Sequence, residues 1–166
     1  MEIILYPNKI LREKCDEVKE FDQSLDRTVL DMLDVLYKKN GAGIAAPQVG
    51  IKKRIIIIDT GKSPLILINP RILKKEGKET FEEGCLSFPG IFLKIKRAKK
   101  VKVEAQNTKG EKIELEAEGL LTHVLQHEID HLDGILFIDK IGFFKRWQLR
   151  RKLKNIAKGK KSEKSS

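Results

Sequence analysis

The order of local sequence patterns predicts an α+β fold for this chain, with largely antiparallel sheets packed around one central helix and further helices near both ends. A stretch with helical periodicity comes early, a series of strand-like runs follows, and two more helical patterns close the sequence. The strand-like runs follow one another without intervening helices, which argues against a parallel β/α architecture. At 166 residues the chain can form one domain with a buried core.

The first predicted helix spans about residues 25–36, because Leu25, Val29, Met32 and Leu36 recur at helical spacing and Asn40-Gly41 provides a stop. The strand-like runs lie at 54–59, 65–69, around Phe81, and at 91–95, 100–105 and 112–116. Residues 107–110, Asn-Thr-Lys-Gly, predict the turn of a hairpin between the last two runs. Two final helices are predicted at about 120–132, ended by Gly134, and at about 143–157.

The helix predicted at about 120–132 carries the most informative motif, HEIDH at residues 127–131. Positions i and i+4 of a helix lie on one face, so His127 and His131 can bind one divalent metal with Glu128 beside them as a candidate base. All three histidines of the chain lie at this spacing, since His123 precedes His127 by four residues. Eight residues of helix rise roughly 12 Å, too far for one ion to join the outer pair. We therefore expect His123 to be a pocket wall or a core histidine.

Two histidines leave a catalytic metal site one protein ligand short. Cys85, in Glu-Gly-Cys-Leu-Ser at 83–87, is a better candidate than the acids downstream of His131, because a thiolate binds zinc or ferrous iron well. A free cysteine can also be simply a small buried hydrophobe. The segment GAGIAAPQ at 41–48 is the third notable feature, since its small residues allow close approach of substrate or backbone, and Gln48 ends it with a polar group. By itself it could equally be a connection with a surface glutamine.

Taken together, GAGIAAPQ, EGCLS and HEIDH resemble the three motifs of the peptide deformylases, in the same order and with every fixed position matched. The resemblance extends from Leu5-Tyr6-Pro7 to residues 134–137. It implies a metal-dependent hydrolase that removes the formyl group from the N-terminal formyl-methionine of newly made proteins and releases formate. It also implies that Cys85, His127 and His131 bind the metal, and that a metal-bound water attacks the formyl carbonyl.

Further roles follow from the same resemblance. Glu128 is expected to act as general acid and base, and the side-chain amide of Gln48 and the backbone N–H of Leu86 to stabilise the oxyanion. The peptide is expected to bind as an extended strand beside Ala42 and Gly84. The substrate-binding positions implied by the resemblance are Ala42, Gly43, Phe81, Glu83, Gly84, Leu120, His123 and Val124. The resemblance implies one divalent cation, ferrous iron in the cell, while zinc, nickel or cobalt would suit the same ligands in a purified sample.

The net charge of +10 is concentrated at the C-terminus. Residues 145–166 contain ten lysines and arginines against one glutamate, so we expect a near-neutral catalytic domain at 1–144 and a basic helix with a flexible tail at 145–166. Such a segment can be a solvated helix end, or it can dock on the ribosome, as the C-terminal helix of related deformylases is thought to do. The absence of a signal-like or membrane-length apolar segment and the presence of only two cysteines predict a cytoplasmic protein that does not enter the membrane.

Two other functions remain open from the residues alone. An H-E-x-x-H peptidase that cuts internal amide bonds would share the helix motif, although the cysteine ligand speaks against it. A basic RNA-binding module with a structural metal would need a fourth protein ligand, which neither Cys15 nor His123 is well placed to provide.

Overall fold

A computed structural model describes the backbone of residues 1–163 and the side chains of residues 1–158. The expected flexible end of the tail, residues 164–166, lies outside this part. The helices are α1 (Gln23–Lys38), α2 (Leu120–Leu132) and α3 (Phe143–Glu163), with 3-10 turns at Lys9–Arg12, Ala46–Val49 and Phe137–Lys140. The strands are β1 (Gly43–Ala45), β2 (Ile55–Ile58), β3 (Leu65–Glu76), β4 (Glu79–Gly84), β5 (Phe92–Arg97), β6 (Lys100–Gln106) and β7 (Lys112–Glu118).

The strands form two antiparallel sheets. One has five strands in the order β1-β2-β3-β6-β7, and the other is the β4–β5 hairpin. Helix α2 contacts β1, β2 and β7 and therefore lies across the large sheet. The α+β class with antiparallel sheets around the motif-bearing helix is confirmed. The predicted turn at 107–110 is also present, with the Asn107 N–H bonded to the Glu111 carbonyl at 2.9 Å.

Strand β2 shows how the sequence builds the core. All four of its isoleucines are buried, because the strand is covered on both faces. Ile56 and Ile58 pack with Leu125 of α2, while Ile55 and Ile57 pack in a second cluster with Leu36 of α1. This alternation follows from the two-residue period of a strand, and it fixes α2 against the sheet.

Two strands differ from the sequence prediction. Strand β3 continues past Asn69-Pro70, which is typical of a turn, through a register shift between Ile68 and Arg71. Asn69 adopts a positive φ of 51°, and its side chain bonds the backbone N–H and carbonyl of Val18 at 2.8 and 2.9 Å. These bonds stabilise a bulge where local chemistry favours a turn. Strand β1 has only three residues and lies within GAGIAAPQ, where no strand was predicted.

Helix α3 packs one apolar side against the body. Leu153 is buried, and Leu149 and Ile156 are partly buried in a cluster that contains Phe137. Phe143, Phe144 and Trp147 at its start are exposed. None of the described helices combines the length and apolar character needed to cross a bilayer.

Candidate metal centre

The structure brings the three expected metal ligands together. His127 and His131 lie one turn apart on α2, and Cys85 lies in the turn that follows β4. The Cys85 Sγ atom is 3.3 Å from His131 Nε2, and one ligand atom from each of the three residues lies within 4.8 Å of the others. One thiolate and two imidazoles at this spacing suit a four-coordinate divalent cation and leave one position for a non-protein ligand. The donor set therefore fits a catalytic metal.

His123 lies outside this cluster. Its ring stacks on Phe81 with 4.8 Å between centroids, and its Nε2 is 3.3 Å from a carboxylate oxygen of Glu79. The third histidine of the series therefore lies at the wall of the adjoining cavity, on the side of the β4–β5 hairpin.

A buried ion-pair network supports His127. The His127 Nδ1 atom is 3.0 Å from Glu83 Oε2, so Nε2 is directed toward Cys85 and His131. Arg97 binds both oxygens of Glu83, with Nη2 donating to Oε2 at 2.9 Å, and its Nη1 donates to Asp130 at 2.7 Å. Glu83 borders the cavity, as expected, but its carboxylate is engaged by His127 and Arg97. Its geometry is that of a residue that orients a metal ligand, here the ring of His127. Arg97 was not predicted from the sequence.

The protonation states follow from burial and these neighbours. Burial alone would raise the pKa of Glu83, but the hydrogen bonds from His127 and Arg97 outweigh it and lower this pKa to about 2. Burial, together with the charges of His127 and Arg97, lowers the pKa of His131, so its ring is neutral and can bind a cation. Burial raises the pKa of Glu128 to about 7. A carboxyl group with a pKa near neutrality can both accept and donate a proton.

Glu128 is held close to β1. A Cβ atom placed on Gly43 would lie 2.5 Å from Glu128 Oε1 and 2.7 Å from Val124 Cγ1, so only glycine fits there. Glu128 Oε2 is buried and, among the described residues, has no hydrogen-bond partner. An unpartnered carboxylate oxygen beside the three ligands is the acceptor that a water molecule at the metal would need.

Two hydrogen-bond donors face the same space. Gln48 lies in the 3-10 turn after β1, where its Oε1 accepts from the Ala45 N–H at 2.9 Å. This bond directs the Gln48 amide nitrogen to 3.5 Å from Cys85 Sγ and 3.3 Å from Ser87 Oγ. The N–H of Leu86 donates to no acceptor within the described part of the chain. The Leu86 N–H is therefore a free donor beside the expected metal ligands, whereas the Gln48 amide donates to Cys85 and Ser87 in this structure.

A cavity of about 390 Å³ opens beside the ligands. Glu128, Gln48 and Leu86 line it, as do all eight of the expected substrate-binding residues. Phe92 also lines it. Phe81, Leu120 and Phe92 are substantially exposed, which gives the mouth of the cavity an apolar character. The arrangement suits an extended chain with an apolar side chain.

Comparisons with known proteins agree with this geometry. The family model for polypeptide deformylase matches residues 1–147. A peptide deformylase from Desulfitobacterium hafniense is 54% identical over 139 residues, which cover 84% of this chain and 93% of that protein. One from Thermotoga maritima is 46% identical over 157 residues, covering 94% of this chain and 96% of that protein.

Solved structures give the same result. A crystal structure of a peptide deformylase from Legionella pneumophila superposes with a TM-score of 0.89 at 41% identity, covering 95% of each chain. A peptide deformylase from Plasmodium falciparum superposes with a TM-score of 0.91 at 39% identity, covering 96% of this chain and 97% of that one. Fold, motif positions and sequence identity over nearly the full length all lead to one conclusion. This chain belongs to the peptide deformylase family, the metal-dependent enzymes that remove the N-formyl group from newly made polypeptides.

Proposed function

We propose that this chain hydrolyses the formyl amide of N-terminal formyl-methionine with Cys85, His127 and His131 as the metal ligands. The observation that carries the proposal is the Cys-His-His donor set beside the unpartnered carboxylate oxygen of Glu128, within one cavity. A divalent cation bound by these ligands lowers the pKa of a water molecule and polarises a carbonyl oxygen. The products are formate and a free amine.

Glu128 carries the proton transfers. It accepts a proton from the attacking water as the oxygen adds to the formyl carbon. It then donates this proton to the methionine nitrogen as the carbon–nitrogen bond breaks, so the leaving group departs as a neutral amine. Its buried position beside the proposed ligands suits both steps, and Gly43 leaves the space that the carboxylate needs.

Gln48 and Leu86 stabilise the charge that develops on the formyl oxygen. Both donors are held before substrate arrives, Gln48 by the Ala45 N–H and Leu86 by the turn that carries Cys85. The side chain of Ser87 is fully buried beside Gln48 and supports its position.

The substrate backbone lies between β1 and the β4–β5 hairpin. Strand β1 is an edge strand of the large sheet, so its outer side can pair with an extended peptide near Ala42, and Gly84 lies on the opposite wall. The methionine side chain then enters the space lined by Phe81, Leu120, His123 and Val124. The stacked and hydrogen-bonded ring of His123 forms one fixed wall of this space.

Exchange of the cysteine tests the ligand set. Cys85→Ser should lose the metal and the deformylation of formyl-methionyl peptides. Cys15→Ser is the matched control, since Cys15 is a buried thiol whose pKa burial raises to about 11, and it should keep both. Metal content is measured on the purified proteins, and an unblocked peptide is assayed beside the formylated one. Full metal occupancy in Cys85→Ser would contradict the assignment, and cleavage of the unblocked peptide would favour an internal peptidase.

The native metal is proposed to be ferrous iron, because the thiolate of Cys85 and two imidazoles form a site that accepts it. Metal analysis after purification without oxygen should find iron, and purification in air should lower the iron content and the activity together. Full activity with zinc alone under both conditions would contradict this.

A second proposed role belongs to α3, which would dock the enzyme on the ribosome, in the cytoplasm where nascent chains emerge. The apolar residues Leu149, Leu153 and Ile156 face the body, and basic side chains between them are exposed. Neutralising Arg150, Arg151 and Lys154 should weaken co-sedimentation with ribosomes, most clearly at low salt, while hydrolysis of a short formyl-peptide stays unchanged. Equal sedimentation of both proteins would make α3 a solvated helix end.

A further inference from the structure

A second cleft, here called the basic cleft, opens where the two sheets separate. Its lining includes Gln126 and Asp130 of α2 and five cationic residues: Lys75 of β3, Lys78 of the β3–β4 turn, Lys96 and Arg97 of β5, and Lys140 of the last 3-10 turn. These cationic residues come from four separate segments and border one concavity. Asp130 is the only carboxylate of the lining.

The basic cleft and the substrate cavity are lined by different residues. On α2, Gln126 and Asp130 line the basic cleft, whereas Leu120, Val124 and Glu128 line the substrate cavity. Among the described residues, none lines both. A ligand in the basic cleft would therefore occupy no part of the substrate cavity's lining.

The positive charge in the basic cleft is not neutralised internally. Asp130 is shared by Arg97, at 2.7 Å, and Lys140, at 3.1 Å, and Arg97 is held on its other side by Glu83. Lys75, Lys78 and Lys96 are exposed, and none of them lies within 4 Å of a carboxylate in the described part of the chain. Three ammonium groups thus remain for an external anion.

The chemistry of the lining indicates which anion. The one arginine is committed to two carboxylates, so no guanidinium fork is available to hold a single phosphate group tightly. No aromatic side chain lines the basic cleft, which argues against stacking on nucleotide bases. Lysines spread over several segments suit a row of phosphates along a chain.

We infer that the basic cleft binds the phosphate backbone of RNA, independently of base sequence. This surface is separate from α3, and the inference does not depend on the deformylation chemistry. It gives the catalytic domain its own contact with RNA, since all the residues involved precede Phe143.

The test compares two triple variants of the full chain with equal loss of charge. One changes the exposed, unpaired lysines of the basic cleft, Lys75→Gln, Lys78→Gln and Lys96→Gln. The matched control changes three exposed lysines elsewhere, Lys14→Gln, Lys19→Gln and Lys109→Gln. Binding of a labelled RNA hairpin, and of a second hairpin of scrambled sequence, is followed by fluorescence anisotropy at several salt concentrations. Unchanged hydrolysis of a short formyl-peptide verifies that both variants are folded.

The basic-cleft variant should bind both hairpins about 10- to 100-fold more weakly near 0.1 M salt, and the slope of log affinity against log salt should become shallower by about 2–3. The control should bind like the wild-type protein. Equal binding by the two variants would overturn the inference. A further arm titrates inorganic triphosphate. Saturable triphosphate binding that is lost in the basic-cleft variant, with RNA binding retained, would assign the basic cleft to a small anion and would overturn the RNA assignment.

Discussion

Replacing Arg97 with leucine would remove the centre of the buried network behind His127. The Arg97 side chain is 3% exposed and holds two carboxylates, Glu83 at 6% and Asp130 at 17% exposure. Without it, Glu83 keeps only the bond to His127 and becomes an uncompensated charge in the interior. Removing one partner of a buried pair typically costs about 3–5 kcal/mol of unfolding free energy. The pKa of Glu83, about 2 instead of 4.5, corresponds to about 3 kcal/mol from His127 and Arg97 together, which is the same order.

The expected loss for Arg97→Leu is therefore about 3 kcal/mol, or a melting temperature lower by about 6–12 °C for a chain of this length. Metal affinity should also fall by about 10- to 100-fold, because Glu83, no longer held by Arg97, fixes the ring of His127 less firmly. Urea unfolding of the metal-free protein measures the first effect, and competition with a chelator measures the second. Arg71→Leu is the matched control, since the Arg71–Glu17 pair is exposed and should contribute at most about 1 kcal/mol. If Arg97→Leu unfolds like this control and binds metal normally, the network does not support the site.

Two further perturbations test other contacts. Gly43→Ala should place a methyl group against Glu128 and lower turnover by about 10²-fold at unchanged metal content. Gly142→Ala is the control, because a Cβ atom there meets open space, and it should have little effect. Equal activity of the two variants would refute the close contact. Burial alone would raise the pKa of Asp139, but hydrogen bonds from Arg12 and the Leu136 N–H outweigh it and hold this pKa below its ordinary 3.8. The Arg12–Asp139 pair therefore stabilises the fold above about pH 3.8 and loses this effect as the pH falls further. The difference in unfolding free energy between wild type and Arg12→Leu should shrink in acid. A difference that stays constant with pH would contradict this.

The elements that were predicted well are those whose type and bounds are set by residues close together in the sequence. Helix α2 was placed at its observed bounds because HEIDH and the following Gly134 mark its last turns. The geometric exclusion of His123 likewise needed only the rise of a helix. Strand β3 was predicted too short, because its continuation past Asn69-Pro70 depends on bonds from Asn69 to Val18, which is 51 residues away.

The network behind His127 illustrates what local patterns do not contain. Glu83 and His127 are 44 residues apart, and Arg97 joins Glu83 only because β4 and β5 pair in one register. One signal was available, since Leu93, Ile95 and Arg97 alternate along a strand and should face the same side. An arginine in line with two buried apolar residues needs a buried partner. Which acid provides it depends on the fold.

The unsatisfied polar atoms of the interior are concentrated on α2. Among the described residues, three buried side-chain atoms have no hydrogen-bond partner, and they belong to His123, Glu128 and His131. The other buried polar residues of this helix are paired, as Gln126 is with the N–H and carbonyl of Ala98 at 3.1 and 3.0 Å. An unpaired buried polar group costs about 1–3 kcal/mol. The protein bears this cost on the helix that also carries the two proposed histidine ligands and Glu128. Stability alone would favour apolar or paired residues at these positions, and the proposed role of Glu128 in hydrolysis accounts for a residue there that is neither.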